Sequence, residues 1–177
     1  MSSGRAVVAV TGAQELLAEV IGAAGSGAQL PEAAAVLRDG AARLDLDEAA
    51  VRSAADGRGV VLARHPCGAA LAVKWFAPGA ATSIHENNGW GIALLMSGSD
   101  RYESWALLDD GTVALVDTRD LSAGDVVWWG PPPADIHRQE GMGDGALELI
   151  VIGAEPTRPL TEYRPVAGAV AAEAADR

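Results

Sequence analysis

Histidine is scarce in this chain, and two of its three histidines stand beside turn-forming residues. His85 lies in PGAATSIHENNGWGIALLMSG, just before an apolar run, and His137 follows GDVVWWGPPPADI, where a strand gives way to a proline-rich turn. Neutral imidazole is a good ligand for Fe, Ni, Cu and Zn. Residues i and i+2 of a strand point to one face, so His85 and Asn87 would face the same way. The pattern predicts that both histidines line one cavity and share an ion.

Four further residues carry side chains suited to such a site. Glu103, in RYESW, could add a carboxylate, and two histidines with one carboxylate are a common iron site. Tyr102 offers a phenol, and Arg64 offers a guanidinium, a group that pairs with carboxylates in two parallel bonds. Trp90 lies nearest the His85 motif and is the candidate pocket wall. Each also has a structural interpretation, as a solvated strand position, a core side chain or a surface ion pair.

The first third of the chain predicts two or three short helices over residues 13–56. Apolar residues recur at the spacing of one helix face in AQELLAEVIGAAGSG. LPEAAAVLRDG places Pro31 in a first turn and stops at Gly40. LDLDEAAVRSAADG offers an aspartate cap and a terminal glycine for a third helix.

After Gly57, short apolar runs alternate with turn residues at the spacing typical of a β-sandwich or barrel. The predicted strands are VVLAR, AALAVKWF, WGIALLM, RYESWALL, TVALVD, DVVWW and LELIVIG. Turns are predicted at Gly98–Asp100, at Asp109–Gly111 and at Leu121–Asp125.

Composition narrows the class of partner. The formal charge is −11, and an acidic surface repels nucleic acids and anionic lipid head groups. No run reaches the ~18 apolar residues of a membrane span. The single cysteine, Cys67, rules out a disulfide within the chain and suits a reducing compartment. We therefore expect a cytoplasmic protein that binds a small molecule, not nucleic acid or membrane.

The two histidine motifs resemble those of the cupin superfamily, in particular its cysteine dioxygenase-like branch. The matching positions are Gly79, His85 and Gly98 in the first motif and Gly124, Asp125 and His137 in the second. The resemblance implies a mainly β fold, a cupin double-stranded β-helix (jelly-roll barrel) with a short α-helical N-terminal segment. It divides a single domain into a helical segment (1–57), the barrel (58–156) and a C-terminal tail (157–177).

The resemblance also implies a mononuclear non-haem metal, with Fe²⁺ favoured and Zn²⁺, Ni²⁺ or no metal left open. This chain departs from the family pattern at two places. Asn87 stands where the first motif has its second imidazole. The Ser-x-His-x-Tyr run that assists dioxygen chemistry in cysteine dioxygenases is replaced by Leu149, Val151 and Gly153.

Three functions follow from these observations. The first is an oxygenase resembling thiol dioxygenases, with His85, Asn87, Glu103 and His137 as candidate metal ligands. Its partners would be dioxygen and a small thiol or carboxylate metabolite held by Arg64. The second is a non-oxidative or metal-free cupin, such as an isomerase, cyclase or lyase, that uses histidine and asparagine as acid–base groups. The third is a binding module without chemistry, and a homodimer is left open because cupins commonly pair through their sheets.

Overall fold

The computed structural model describes residues 10–25, 29–47, 51, 59–153 and 160–166. Within these ranges, two complete helices precede seven strands. The elements are α1 (Ala13–Ala24), α2 (Leu30–Ala41), β1 (Val60–Arg64), β2 (Ala70–Phe76), β3 (His85–Glu86), β4 (Gly91–Leu107), β5 (Val113–Ser122), β6 (Val126–Trp129) and β7 (Ile136–Ile152). The division of the chain at residues 57 and 156 stays a prediction, because both positions fall in segments outside these ranges.

The two helices form where the apolar spacing predicts them and cover one face of the β-structure. α1 buries Leu16, Leu17 and Val20, and α2 carries a proline in its first turn. Both helices contribute to one apolar cluster with the outward-facing residues of β1, β2, β4 and β7. The third predicted helix lies mostly outside the described residues. None of the helices described here is long and apolar enough to cross a bilayer.

The strands are antiparallel and form two sheets that share the long strands β4 and β7. The first half of β4 pairs with β6 and with the second half of β7, whereas its second half pairs with β5 and with the first half of β7. β2 and then β1 extend one sheet beyond β7, and β3 pairs with β7 in the other. This confirms the predicted fold class, a mainly β double-stranded β-helix with a short helical segment.

The turn predicted at Gly98–Asp100 is wrong, because β4 runs through these residues without reversing. Gly98 has φ 85°, and the register between β4 and β7 shifts there. A Cβ at Gly98 would lie 1.9 Å from the carbonyl oxygen of Gly145. The glycine therefore bends a continuous strand from one sheet into the other.

A second apolar cluster lies between the two sheets and fills the interior of the barrel. Its members include Phe76, Leu95, Tyr102, Trp129 and Ile150. The polar side chains described next enter this interior from β3, β4 and β7.

Candidate metal site

The first and central feature of the site is the pair of imidazoles. β3 and β7 run antiparallel with His85 directly opposite His137, so both side chains leave the sheet on one face. The ring centroids are 4.8 Å apart and the ring planes are inclined by 60°. His85 is 9% exposed and His137 is 1% exposed. The structure thus brings together two histidines that are 52 positions apart in the chain.

Backbone carbonyls hold both rings in one tautomer. His85 Nδ1 lies 2.9 Å from the carbonyl oxygen of Ser83, and His137 Nδ1 lies 3.0 Å from that of Asp135. A carbonyl only accepts, so each Nδ1 carries the proton and each Nε2 keeps its lone pair. Metal-binding histidines are oriented in this way, with the second ring nitrogen donating to a carbonyl or carboxylate.

Burial keeps the two imidazoles neutral. Burial, and then the neighbouring His85, lowers the pKa of His137 to about 3. Burial also lowers the pKa of His85. At neutral pH both rings are therefore neutral, and Nε2 of each carries a lone pair and no proton.

The two asparagines that follow His85 have different roles. Asn87 is buried, and its amide nitrogen lies 3.4 Å from His137 Nε2. Asn88 adopts a positive φ of 61°, a conformation that asparagine tolerates better than most residues. The Asn88 backbone N–H donates to the Asp135 carboxylate at 2.8 Å. The chain is thereby turned so that Asn87 stays beside both imidazoles.

Aromatic side chains enclose the imidazole pair on the barrel side. The ring centroids of Trp129 and His137 are 4.5 Å apart, and Tyr102 stacks on His137 at 5.5 Å. Trp129 is 4% exposed and its indole N–H has no acceptor. Burial raises the pKa of the Tyr102 phenol, so Tyr102 is a neutral hydrogen-bond donor at the site.

The structure does not bring Trp90 to the imidazoles. Trp90 belongs to the cluster between the helices and the outer face of the sheet, where its ring occupies the space beside Gly153. Trp129, which sequence reasoning did not single out, takes the position against His137 instead. Trp90 was predicted because it is close to His85 in the sequence. The aromatic side chain against His137 comes instead from β6 and not from the residues at the start of β4.

Glu103 and Arg64 also lie apart from the imidazoles. Glu103 pairs in register with Arg138, next to His137 and therefore on the opposite face of β7. It is 1% exposed and contacts the Arg138 guanidinium at 3.3 Å. Arg64 ends β1 with an exposed side chain, so it is not placed to hold a substrate inside the barrel.

The residues present fit a metal ion with few protein ligands. Since a metal–nitrogen bond measures about 2.1 Å, two imidazoles sharing one ion place their ring centres roughly 4.5–5.2 Å apart. The observed 4.8 Å lies within that interval. Among the described residues, no cluster of three or more His, Cys, Asp and Glu side chains surrounds a common point. The donor set is therefore two imidazoles with the amide of Asn87.

A second polar group lies deeper in the barrel and was missed at the sequence level. Gln139 donates to both carboxyl oxygens of Glu148 at 2.8 Å. Glu148 and Asp100 are fully buried, and neither carboxyl oxygen of Asp100 has a hydrogen-bond partner among the described residues. Burial raises the pKa of both carboxyl groups, that of Asp100 to about 6, and the neighbouring Asp100 charge raises the pKa of Glu148 further. The alternation of polar residues at 137, 139 and at 100, 102 was the available signal.

The chain matches no protein-family model and no curated protein. Among solved structures it is similar to oxalate decarboxylase from Bacillus subtilis at pH 4.6, with 20% identity over 54% of this chain and 24% of that one, at a TM-score of 0.43. A second structure of the same enzyme, from work on its Mn(II) centres, is 19% identical over 55% of this chain and 24% of that one, at a TM-score of 0.44. A tryptophan-to-tyrosine variant of the same oxalate decarboxylase is 21% identical over 51% of this chain and 22% of that one, at a TM-score of 0.41.

The chain spans about a quarter of the length of these decarboxylase chains. Similarity at this level carries no argument about activity. The narrower resemblance to the cysteine dioxygenase-like branch gains no support from these structures and stays a prediction.

Proposed function

We propose that this protein is a mononuclear metal-dependent enzyme of cupin type in which His85 and His137 hold one divalent first-row metal ion through Nε2. The observation that carries the proposal is the geometry of the two neutral imidazoles. Their ring centroids lie 4.8 Å apart, each ring is anchored through Nδ1 to a carbonyl, and the remaining ring nitrogen of each, Nε2, is unprotonated. A cation is the ligand that such a pair binds best.

Asn87 is the third protein group at this position. Its amide nitrogen faces His137 Nε2 in the structure. Rotation of the amide by half a turn would present the carbonyl oxygen instead, which is a neutral oxygen ligand. The residues at the site would hold the ion weakly compared with three imidazoles, and they leave several coordination positions open.

The proposed reaction is oxygenation of a small thiol- or carboxylate-bearing metabolite, with Fe²⁺ as the ion. Iron held in this way supplies a centre at which an organic substrate and dioxygen bind side by side. Because His85, Asn87 and His137 are all neutral, the protein leaves the charge of the ion uncompensated and favours an anionic substrate group. A thiolate or a carboxylate meets that requirement.

Tyr102 and Trp129 would act on the bound substrate. Both are buried and contact His137. The phenol stays protonated and the indole N–H lacks an acceptor, so both can donate hydrogen bonds to an anionic or oxygen-containing group next to His137. Their rings also exclude water from that side of the site, which strengthens these hydrogen bonds.

The metal-free alternative, with a histidine as general base, gains less from the structure. A base whose conjugate acid has a pKa of about 3, as His137 has, accepts protons poorly at neutral pH. This alternative is retained as an outcome of the test below.

The proposal is tested with protein purified without a histidine tag and stripped of metal. Anaerobic titration with Fe²⁺ should reach one equivalent for the wild type and fail for His85→Ala and for His137→Ala. His65→Ala is the matched control, because His65 lies at the β1–β2 turn against Cys67 and should bind like the wild type. Binding that survives both site substitutions would refute the proposal.

The reaction is tested separately with the iron-loaded protein. Oxygen uptake is recorded with a panel of small thiols and carboxylates, and uptake that disappears in His137→Ala supports oxygenation. A flat trace with every compound would remove oxygenation and leave a metal-dependent enzyme of another class. Ligand binding by metal-free protein, unchanged in His85→Ala, would favour the metal-free alternative.

A further inference from the structure

The C-terminal segment Leu160–Val166, which we name the C-terminal strap, lies along β3 on the edge that β7 leaves open. The backbone N–H of Glu86 donates to the carbonyl of Thr161 at 3.1 Å, and that of Tyr163 donates to Ile84 at 2.8 Å. A further antiparallel bridge joins residues 85 and 162. The strand that carries His85 is thus paired on both sides.

Side chains reinforce this backbone pairing through Glu86. The Glu86 carboxylate is 5% exposed and points away from the imidazoles, since it alternates with His85. Thr161 Oγ1 donates to one of its oxygens at 2.6 Å and the Tyr163 hydroxyl donates to the other at 2.9 Å. Hydrogen bonds to an ionised acceptor are short and strong, so both hydroxyls fix Glu86 to the strap.

The other end of the strap is fixed to a different strand. The Val113 N–H donates to the carbonyl of Arg164 at 3.1 Å, and the Val166 N–H donates to Val113 at 2.9 Å. The Tyr163 ring packs on a buried cluster that includes Trp105 and Ile136. The strap therefore connects β3 to the start of β5 and does not hang from β3 alone.

β3 needs such support because its own pairing is short. Two residues of β3 pair with β7, His85 with His137 and Glu86 with Ile136, and the chain before β3 also bonds to β7, at 2.9 Å from the Thr82 N–H to the Gln139 carbonyl. The pairing with β7 ends at Glu86, beside His85, so a short ladder constrains this end of the strand weakly. The distance between the two imidazoles depends directly on that position.

We propose that the C-terminal strap sets the separation and orientation of the two imidazoles, with Thr161, Tyr163 and Glu86 as positioning residues of the metal site. This inference rests on the proposed function only for its effect on metal binding. The strap holds the backbone on either side of His85, so its effect on the position of the His85 ring does not depend on a bound metal. Groups that hydrogen-bond directly to a metal ligand change metal affinity by roughly 10–100-fold when they are removed. The strap acts through Glu86 and the backbone of β3, so we expect a loss at the lower end of that range.

The test compares substitutions that keep the shape of a side chain and remove its hydroxyl. Thr161→Val and Tyr163→Phe each delete one hydrogen bond to Glu86, and Thr161→Ser keeps it. Thr112→Val is the matched control, because Thr112 Oγ1 donates to the Asp110 carboxylate at 2.6 Å in an exposed turn. Co²⁺ affinity is measured by chelator competition at a temperature where circular dichroism shows every variant folded.

The same variants, labelled with ¹⁵N-histidine and free of metal, are examined by NMR for the tautomer of each ring. The inference predicts that Thr161→Val and Tyr163→Phe bind Co²⁺ at least tenfold more weakly. It also predicts that these variants lose the single Nδ1–H form of His85. Thr161→Ser and Thr112→Val should match the wild type in both measurements.

Two outcomes separate this inference from the proposed function. If the wild type binds Co²⁺ and the strap variants bind it equally with an unchanged His85 spectrum, the inference is overturned and the metal site stands. If the wild type binds no Co²⁺, the proposed metal site is refuted. The NMR spectrum of the metal-free protein then still tests whether the strap positions His85. An unchanged His85 tautomer then overturns the inference, whereas a mixture in the strap variants supports it.

Discussion

Because the carboxyl groups of Asp100 and Glu148 are buried, we predict that the free energy of unfolding depends on pH. Asp100 is fully buried without a hydrogen-bond partner for its carboxyl oxygens among the described residues, and burial raises its pKa from 3.8 to about 6. At about 1.4 kcal/mol per pKa unit, this difference corresponds to roughly 3 kcal/mol. The difference is the cost of ionising Asp100 in the folded protein.

The direction of the pKa shift of Asp100 decides whether the protein gains or loses stability as the pH rises. The pKa of Asp100 is higher in the folded state, so its contribution to stability is fully present below pH 4 and is lost as the pH rises through about 6. Asparagine has the same shape and cannot ionise. Asp100→Asn should therefore raise the free energy of unfolding by about 1–3 kcal/mol at pH 8, and this gain should vanish near pH 4.

Urea unfolding followed by tryptophan fluorescence at pH 4.5, 6 and 8 measures this difference. Asp120→Asn is the control, because the exposed Asp120 pairs with Arg101, which lowers the pKa of Asp120. Its pH trend should be small and opposite in sign. An Asp100→Asn variant that is less stable than the wild type at pH 8, or whose difference is the same at every pH, would refute the reasoning.

Three further substitutions test individual residues. Asn87→His supplies a third imidazole and should tighten Zn²⁺ binding at least tenfold in a calorimetric titration, and an unchanged affinity would place Asn87 outside the coordination sphere. Gly98→Ala drives a Cβ into the Gly145 carbonyl and should cost at least about 2 kcal/mol in urea unfolding. The control Gly111→Ala, with φ 81° but open space around it, should cost only about 1 kcal/mol. Arg64→Ala should leave metal affinity and substrate KM unchanged because its side chain is exposed, and a tenfold rise in KM would return Arg64 to the site.

The sequence was sufficient for the architecture and for the meeting of the two imidazoles. Strand runs separated by turns predicted the β-structure, and the i, i+2 rule placed His85 and Asn87 on one face. The histidine motifs then indicated that separate strands bring His85 and His137 together. These inferences succeeded because they depend on local periodicity and on the order of elements along the chain.

Other features depend on register, which the sequence does not show. The Glu103 side chain lies on the face of the sheet opposite to the imidazoles, because Glu103 pairs with Arg138 of β7 and not with His137. A glycine between polar residues was interpreted as a turn at Gly98, yet the coiling of β4 across both sheets needs a glycine within a strand. Trp129 was overlooked in favour of Trp90, since only the pairing of β6 with β4 decides which indole faces the interior.

The central claim is that His85 and His137 bind one ion through Nε2, and X-ray absorption of the Co²⁺-loaded protein tests it most directly. The account predicts two imidazole scatterers at about 2.1 Å, with oxygen atoms in the remaining positions, and one imidazole in His85→Ala. A spectrum with no imidazole contribution, or one that is the same in wild type, His85→Ala and His137→Ala, would contradict it.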